Sequence, residues 1–457
     1  MNLNTYIIRV LLAVCILITS CDLVEVSKIE PVNQLGEDQA ITTVNQAQSV
    51  LYGTYGQLKT FALHTTSPGL YALLGGTMVP GASGGTSEAS FRDNNVDPQN
   101  GTLAGIYSQW YKVLNNANHI IEKTAKIATT EPRKESLIGE AKFIRALSHF
   151  YLLRAFGQFY DMNSTYGIVL KDKPIQSADP QARATVKECY DLIIADLDYA
   201  IAKAPSFKST FYASKQASMA LKAKVLLYMK KYSDAATLSA QVIAGGPFQL
   251  ETTFGDVFTK KIVNTKEVLF QIPYDDKNDR NNKAFVFRSS YLPSPSYIAR
   301  MNGDKRAAAA LITVGTTMRN NKYNGTTFNS QVLTADTEYF LRLDEMYLIQ
   351  AEAIVRSNGN FDDALKAINT IRTRAGMPVL TSNIKAELLE LIRIEKILEL
   401  GAESGEEWFD MVRYAIEDNF DIKSVKPGVT SKDKYILPIP FNSVDLSNKV
   451  VIQNPNY

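Results

Sequence analysis

Cysteine, histidine and tryptophan are all scarce in this 457-residue chain, and each scarcity excludes something. The three cysteines are Cys15, Cys21 and Cys189. Two lie near the amino terminus, so Cys189 has no partner for an internal disulfide and the fold must be held by its core. The three histidines, His64, His119 and His149, show no close metal-ligand spacing. No phosphate-cradling glycine loop precedes a lysine, and no Gly-x-Ser-x-Gly nucleophile elbow is expected. Beyond the amino terminus no stretch approaches the length of apolar run that a membrane-spanning helix needs. An excess of one charge is also lacking. The chain has 49 Lys and Arg against 47 Asp and Glu, interspersed throughout, and no basic stripe of the kind that marks a nucleic-acid binder.

What is present begins at the amino terminus. Met1–Arg9 carries one positive side chain, Val10–Ile18 is apolar, and Thr19-Ser20-Cys21 follows. This order reads as a secretory signal over residues 1–20. A cysteine directly after small residues looks like the lipid-acceptor site of bacterial lipoproteins, which would make Cys21 the attachment residue. The plainer alternative is an ordinary cleaved signal with a chance cysteine. Residues 21–40, with Pro31 and Gly36, read as a polar leader that tethers a folded body over 41–457.

Apolar periodicity predicts helices over Thr42–Leu58, Leu103–Lys126, Arg133–Phe156, Thr185–Lys203, Lys215–Met229 and Ser233–Ile243. It predicts four more over Tyr339–Arg356, Phe361–Arg374, Ile384–Ala402 and Glu406–Asn419. Two irregular stretches separate them, at about 62–102 and 248–338. The first is dense in turn signals such as Pro68-Gly69, Gly75-Gly76 and Gly84-Gly85. In the second, Phe270, Ile272 and Tyr274 alternate, as do Phe285 and Phe287, which predicts loops and short strands. The scaffold is thus expected at about 41–61, 103–244 and 339–420, followed by an extended tail punctuated by Pro438, Pro440 and Pro455.

Two helix pairs share a pattern. In one, Ala220, Ala223 and Leu226 lead through a short turn to Tyr232, Ala235 and Leu238. In the other, Leu348, Ala351 and Ile354 lead through a Gly-Asn turn to Phe361, Ala364 and Ile368. Small residues let paired helices approach, and the aromatic residue plugs the crossing. The pattern resembles tetratricopeptide repeats, with two ordinary antiparallel hairpins as the plainer reading. The fold class is therefore mainly α, a tetratricopeptide-repeat-like helical scaffold with long loop-rich insertions carrying short strands.

The last third carries an ordered series of motifs. Arg342, Glu345 and Glu352 are spaced to share one side of the predicted helix. Arg372-Thr373-Arg374-Ala375-Gly376 follows, where the glycine can supply a left-handed cap. Then come Glu395-Lys396-Ile397-Leu398-Glu399-Leu400, Glu407-Trp408-Phe409-Asp410, Leu437-Pro438-Ile439-Pro440 and Gln453-Asn454-Pro455-Asn456-Tyr457. With the early Trp110-Tyr111-Lys112 helix, this series resembles the SusD/RagB family of outer-membrane nutrient-binding lipoproteins of Bacteroidota. Two departures stand out. Lys396-Ile397 replaces a usual Arg-Arg, and Glu407 replaces a usual arginine before the tryptophan, changes expected to weaken ion pairing between helices. Trp110 and Trp408 read as core residues. Arg342, Glu345, Glu352, Arg372, Arg374 and Asp410 read as an inter-helix polar network and not as a catalytic set.

The resemblance implies glycan or oligosaccharide capture at the outer face of the outer membrane. It also implies a SusC-like TonB-dependent transporter as partner, no cofactor and no catalysis. Ligand contacts are expected where the two irregular stretches meet, with Phe91, Arg92, Asn94, Tyr274, Arg288 and Tyr291 as the first candidates. Tyr71, Phe285, Phe287, Tyr297 and Tyr323 offer further aromatic material. Neither tryptophan lies in these stretches, which favours a soluble oligosaccharide over a crystalline polysaccharide. The alternatives are a peptide-binding protein of the same architecture, a structural adaptor, and a glycoside hydrolase. The hydrolase would use a carboxylate pair drawn from Asp93, Asp97, Asp275, Asp276 and Asp279.

Overall fold

Side-chain caps set many of the helix starts. Thr43, Asn100, Thr185, Ser214, Ser294 and Asn360 each accept a hydrogen bond from a first-turn backbone N–H, and Thr43 and Thr185 complete reciprocal boxes with Gln46 and Glu188. The computed structural model describes residues 41–175, 179–273, 283–324 and 336–457, without the side chains of residues 261–264 and 273. The signal segment, Cys21 and the leader fall outside the described residues.

In chain order the helices and strands begin with α1 (Val44–Leu58), α2 (Ser67–Gly75), β1 (Met78–Pro80), α3 (Thr86–Arg92), α4 (Gly101–Lys126) and α5 (Arg133–Phe156). Next are α6 (Val186–Lys203), α7 (Lys215–Tyr228), α8 (Tyr232–Ala244), α9 (Asp256–Asn264) and β2 (Val268–Pro273). Then come α10 (Lys283–Ser289), β3 (Tyr291–Pro293), α11 (Pro295–Met301), α12 (Ala307–Ala310), β4 (Leu311–Val314), β5 (Thr317–Asn320) and β6 (Thr337–Arg342). The chain closes with α13 (Leu343–Arg356), α14 (Phe361–Arg374), α15 (Lys385–Leu400), α16 (Glu406–Glu417) and α17 (Phe441–Asp445).

Helix α5 is the axis of the stack. From Leu137 to Phe156 it is buried on almost every side, as a helix without a polar face must be. It packs between α4 and α6, and the series continues through α7 and α8. Helix α13 then packs directly on α8, so the two repeat-like hairpins are neighbours in space although the 248–338 excursion separates them in sequence. Mutually antiparallel, stacked hairpins of this kind form the tetratricopeptide-like fold.

The tail straps the end of α5. The Leu437 N–H bonds the Ala155 carbonyl at 2.8 Å, and the Asn454 amide donates to the carbonyls of Phe156 and Leu437 at 2.9 and 2.6 Å. Gln453 completes the strap by exchanging hydrogen bonds of 2.7 and 2.8 Å with the backbone of Ile439. The two terminal motifs are therefore halves of one clamp.

Three expectations need correction. The stretch 62–102 is not mainly loop: it holds a π-helical turn at Ala62–Thr66, the wholly buried α2, and α3. Phe285 and Phe287 lie on a helix, α10, and not on a strand. Residues 339–342 belong to β6, whose bulky Tyr339, Phe340 and Leu341 pair against β2, so the helix begins only at Leu343. Phe270 and Ile272 do lie on a buried strand, β2.

Candidate ligand-binding face

The motif residues of the last third come first, because they frame the face without lining it. Arg342 ends β6 and so cannot meet Glu345 across a helix turn. It pairs instead with Asp344 at 2.9 Å and Glu403 at 3.1 Å, while Glu345 pairs with Lys224 at 2.7 Å. Glu352 receives Arg413 at 2.8 Å, Lys396 at 2.9 Å and Arg356 at 2.8 Å, and Asp410 joins through Lys396 and Arg413. Arg372 pairs with Glu395 at 2.6 Å; Arg374 bridges Glu267 and Glu399. All these carboxylates are buried, and they tie α13, α14, α15 and α16 together. Lys396 therefore keeps the inter-helix pairing that the motif departure was expected to weaken.

The second departure has the larger effect. Glu407 has no cation within ion-pair distance among the described residues. One carboxylate oxygen takes the Thr77 hydroxyl, and the other is buried with no hydrogen bond. Burial raises its pKa to about 7. Trp110 and Trp408 are both core residues, at 1% and 2% exposure.

Glu267, Asp344 and Glu399 bring carboxylate oxygens within 4.8 Å of one another. Burial keeps Asp344 protonated well above the usual carboxylate range. Against the same desolvation, Arg374, Arg306 and Arg342 hold Glu399 down to about 2. Charge at this cluster is already compensated by guanidinium groups, which makes it a poor cage for a cation.

The two stretches expected to carry ligand contacts pair with each other. Strand β1, from the first irregular stretch, pairs antiparallel with β3 from the second, with Met78 opposite Pro293 and Pro80 opposite Tyr291. The turn after β1 continues this contact, with the Gly81 N–H bonding the Ser290 carbonyl at 2.8 Å. Glycine is required there, since a Cβ on Gly81 would fall 2.0 Å from the Ser289 carbonyl oxygen. Behind the sheet the Tyr291 ring occupies the space where Gly69 of α2 lacks a side chain. Phe287 packs edge-on against Tyr291 at 5.4 Å and against Tyr323 at 4.6 Å. The buried Lys283–Glu338 pair lies beside them, with the ammonium 4.3 Å from the Tyr323 ring centre.

This packing sorts the candidates. Phe91 and Tyr291 are buried, at 0% and 2% exposure, so their rings form the support of the face and offer no free surface to a ligand. The same holds for Tyr71, Phe287, Tyr297 and Tyr323. Asn94 is also buried, in a left-handed turn with φ +52°. Tyr274, Asp275, Asp276 and Asp279 lie outside the described residues. Arg92 is exposed and holds Asp93 in a two-pronged pair of 2.7 and 2.8 Å. Arg288 is half-buried and donates to Asn321 at 3.0 Å. Phe285 is the most exposed aromatic on the face, at 68%. It drew little weight in the sequence, because a Phe-x-Phe pair reads as a strand, and only the helix separates an outward Phe285 from an inward Phe287.

No triad supports hydrolysis among the described residues. Gly81-Ala82-Ser83-Gly84-Gly85 does carry the Gly-x-Ser-x-Gly letters, contrary to expectation. Its serine is exposed and lacks the strained backbone of an elbow, and His64 and His149 are buried in the core. Asp97 accepts from the Gln99 N–H at 2.7 Å and shapes a turn.

Comparison with known proteins agrees with this architecture. A model of the SusD family matches residues 307–457, and a model described as starch-binding associating with outer membrane matches 78–227. SusD-like protein P38 of Formosa agariphila is 25% identical, over 80% of this chain and 82% of the relative. A putative sugar binding protein of Bacteroides vulgatus superposes with a TM-score of 0.77 at 24% identity, covering 92% of this chain and 99% of that one. A structure described as a laminarin binding SusD-like protein superposes at 0.74 and 20% identity, covering 90% and 99%. With its terminal clamp, its buried ion-pair motifs and two family models matched in separate parts of the chain, this chain belongs to the SusD/RagB family.

Proposed function

We propose that this protein captures glycans or oligosaccharides on the β1–β3 face and delivers them to a SusC-like TonB-dependent transporter, without chemistry of its own. The observation that carries this reading is the pairing of β1 with β3. It joins the 62–102 and 248–338 stretches on a rigid helical support and leaves Phe285, Arg92, Asp93 and the half-buried Arg288 near the surface. An exposed ring can cover the C–H face of a sugar, and arginine and carboxylate groups can bond its hydroxyls. The outer-membrane, starch-binding description of one family model and the laminarin-binding structural neighbour support glycan as the cargo class. Lipid attachment at Cys21 is the proposed means of holding the protein at the surface, since no helix among the described residues is long and apolar enough to cross a membrane.

A binding screen of the purified protein against oligosaccharides and peptides tests the cargo. Saturable glycan binding without release of reducing ends is expected. Peptide binding alone, or liberated reducing sugar, would overturn the reading. Co-purification from native membranes in mild detergent should recover a large β-barrel transporter.

A further inference from the structure

A cavity opens on the helical side, between α1, the amino-terminal half of α5 and the 205–213 segment. All of its walls belong to described residues. Its volume is about 160 Å³. That is well below the roughly 300–1,000 Å³ of sites for drug-sized ligands, and it limits an occupant to about one small ring.

The walls are unusual for a scaffold surface. Tyr52 and Tyr212 are 47% and 38% exposed, with ring centres 5.2 Å apart and planes tilted by 39°. Tyr212 is braced edge-on by the buried Tyr55 at 5.2 Å. At the cavity wall lies Glu140, only 8% exposed. Its Oε2 accepts the Tyr55 hydroxyl at 2.8 Å, and that hydroxyl in turn accepts the Ala213 N–H at 2.8 Å. Its Oε1 has no hydrogen-bond partner among the described residues. The carboxyl therefore has an open acceptor position in a cavity walled by two tyrosines. Ser136 and Ser206 add hydroxyls, and Arg133 and Lys208 add donors.

An apolar ligand would leave the open Oε1 of Glu140 desolvated and without a hydrogen bond, which is costly. A compact cation would meet Arg133 and Lys208 at the same wall. A ring with flat C–H faces and peripheral hydroxyls satisfies both the tyrosines and the carboxyl. We propose that this cavity is a second carbohydrate site, sized for one neutral pyranose, in which Tyr52 and Tyr212 hold the ring and Glu140 accepts a hydroxyl. Such a site would hold a sugar unit on the side of α1 and α5, apart from the β1–β3 face. Burial raises Glu140 to about 7, in keeping with a carboxyl that needs a hydrogen-bonding partner.

The test is saturation-transfer NMR with D-glucose, D-galactose and D-mannose at millimolar concentration. The wild-type protein is compared with Tyr52→Ala/Tyr212→Ala, Ser136→Tyr, Phe285→Ala as the probe of the β1–β3 face, and Leu446→Ala as the control, each checked for native circular dichroism. Wild type should transfer saturation to the ring protons of at least one hexose. The tyrosine double variant, and Ser136→Tyr, which blocks the cavity while leaving both tyrosines, should each lose at least fivefold of that signal. Leu446→Ala, at an exposed residue of neither site, should keep it. No transfer from any of the three hexoses to wild type would overturn the proposal. So would a signal that survives both cavity variants, and if that signal vanished with Phe285→Ala it would assign sugar binding to the β1–β3 face alone.

Discussion

The helical stack and the β1–β3 face are built by different kinds of information. In the stack, each helix is specified within its own span by a cap, an apolar stripe and a stop. In the face, the decisive partners are remote: Gly69 is small because Tyr291 packs on it, and Gly81 because Ser289 does. Local reading takes such glycines for breakers, although Gly69 lies inside a buried helix. The comparison teaches that a binding face can rest on core packing as tight as the scaffold's while showing little of it in sequence.

That contrast can be broken most strongly in the stack. Glu352→Ala should remove the carboxylate shared by Arg413, Arg356 and Lys396, leaving Asp410, Glu417 and Asp418 to answer these three cations, and a loss of about 3–5 kcal/mol in urea unfolding is expected. A loss under about 1 kcal/mol would show that the network relaxes to solvent. On the face, Phe91→Ala should cost about 3–4 kcal/mol through the cavity it leaves, as for any core phenylalanine. Weaker ligand binding with unchanged stability would restore Phe91 as a contact residue.

Glu407 sharpens the comparison at the seam between the two regions. Its folded pKa of about 7 lies above the usual carboxylate value, so the folded state holds the proton more tightly than the unfolded chain. Its contribution is present below about pH 4.5 and lost as pH rises to about 7, a change of roughly 2–3 kcal/mol. Glu407→Gln should remove that pH dependence and be the more stable form at pH 8. Parallel stability–pH curves for the two proteins would contradict the burial of an unpaired carboxyl. The smallest expected effect is at Phe285→Ala, where stability should stay within about 0.5 kcal/mol because the side chain is exposed.

The legibility of the molecule follows the same division. Most stack helices fall within a few residues of their predicted ends, and Gly376 adopts the left-handed cap expected of it, with φ +69°. Trp110, Trp408, Arg342, Glu345, Glu352 and Asp410 are buried, while Arg372 and Arg374 are partly covered. The Arg342–Glu345 pairing failed because β6 runs to Arg342, and β6 exists only through β2. Among the ligand candidates, choosing loop aromatics selected Phe91 and Tyr291, which α3 and β3 turn inward, as α2 and α10 do Tyr71 and Phe287. Arg92 and Arg288 remain near the surface because guanidinium groups reach solvent even from partly covered positions.

The most direct measurement is calorimetric titration of an oligosaccharide found in the binding screen against wild type and the Phe285→Ala/Arg288→Ala double variant. Capture on the β1–β3 face predicts saturable binding to wild type and at least tenfold weaker affinity in the variant, with the fold unchanged. Equal affinity in the two proteins would contradict it.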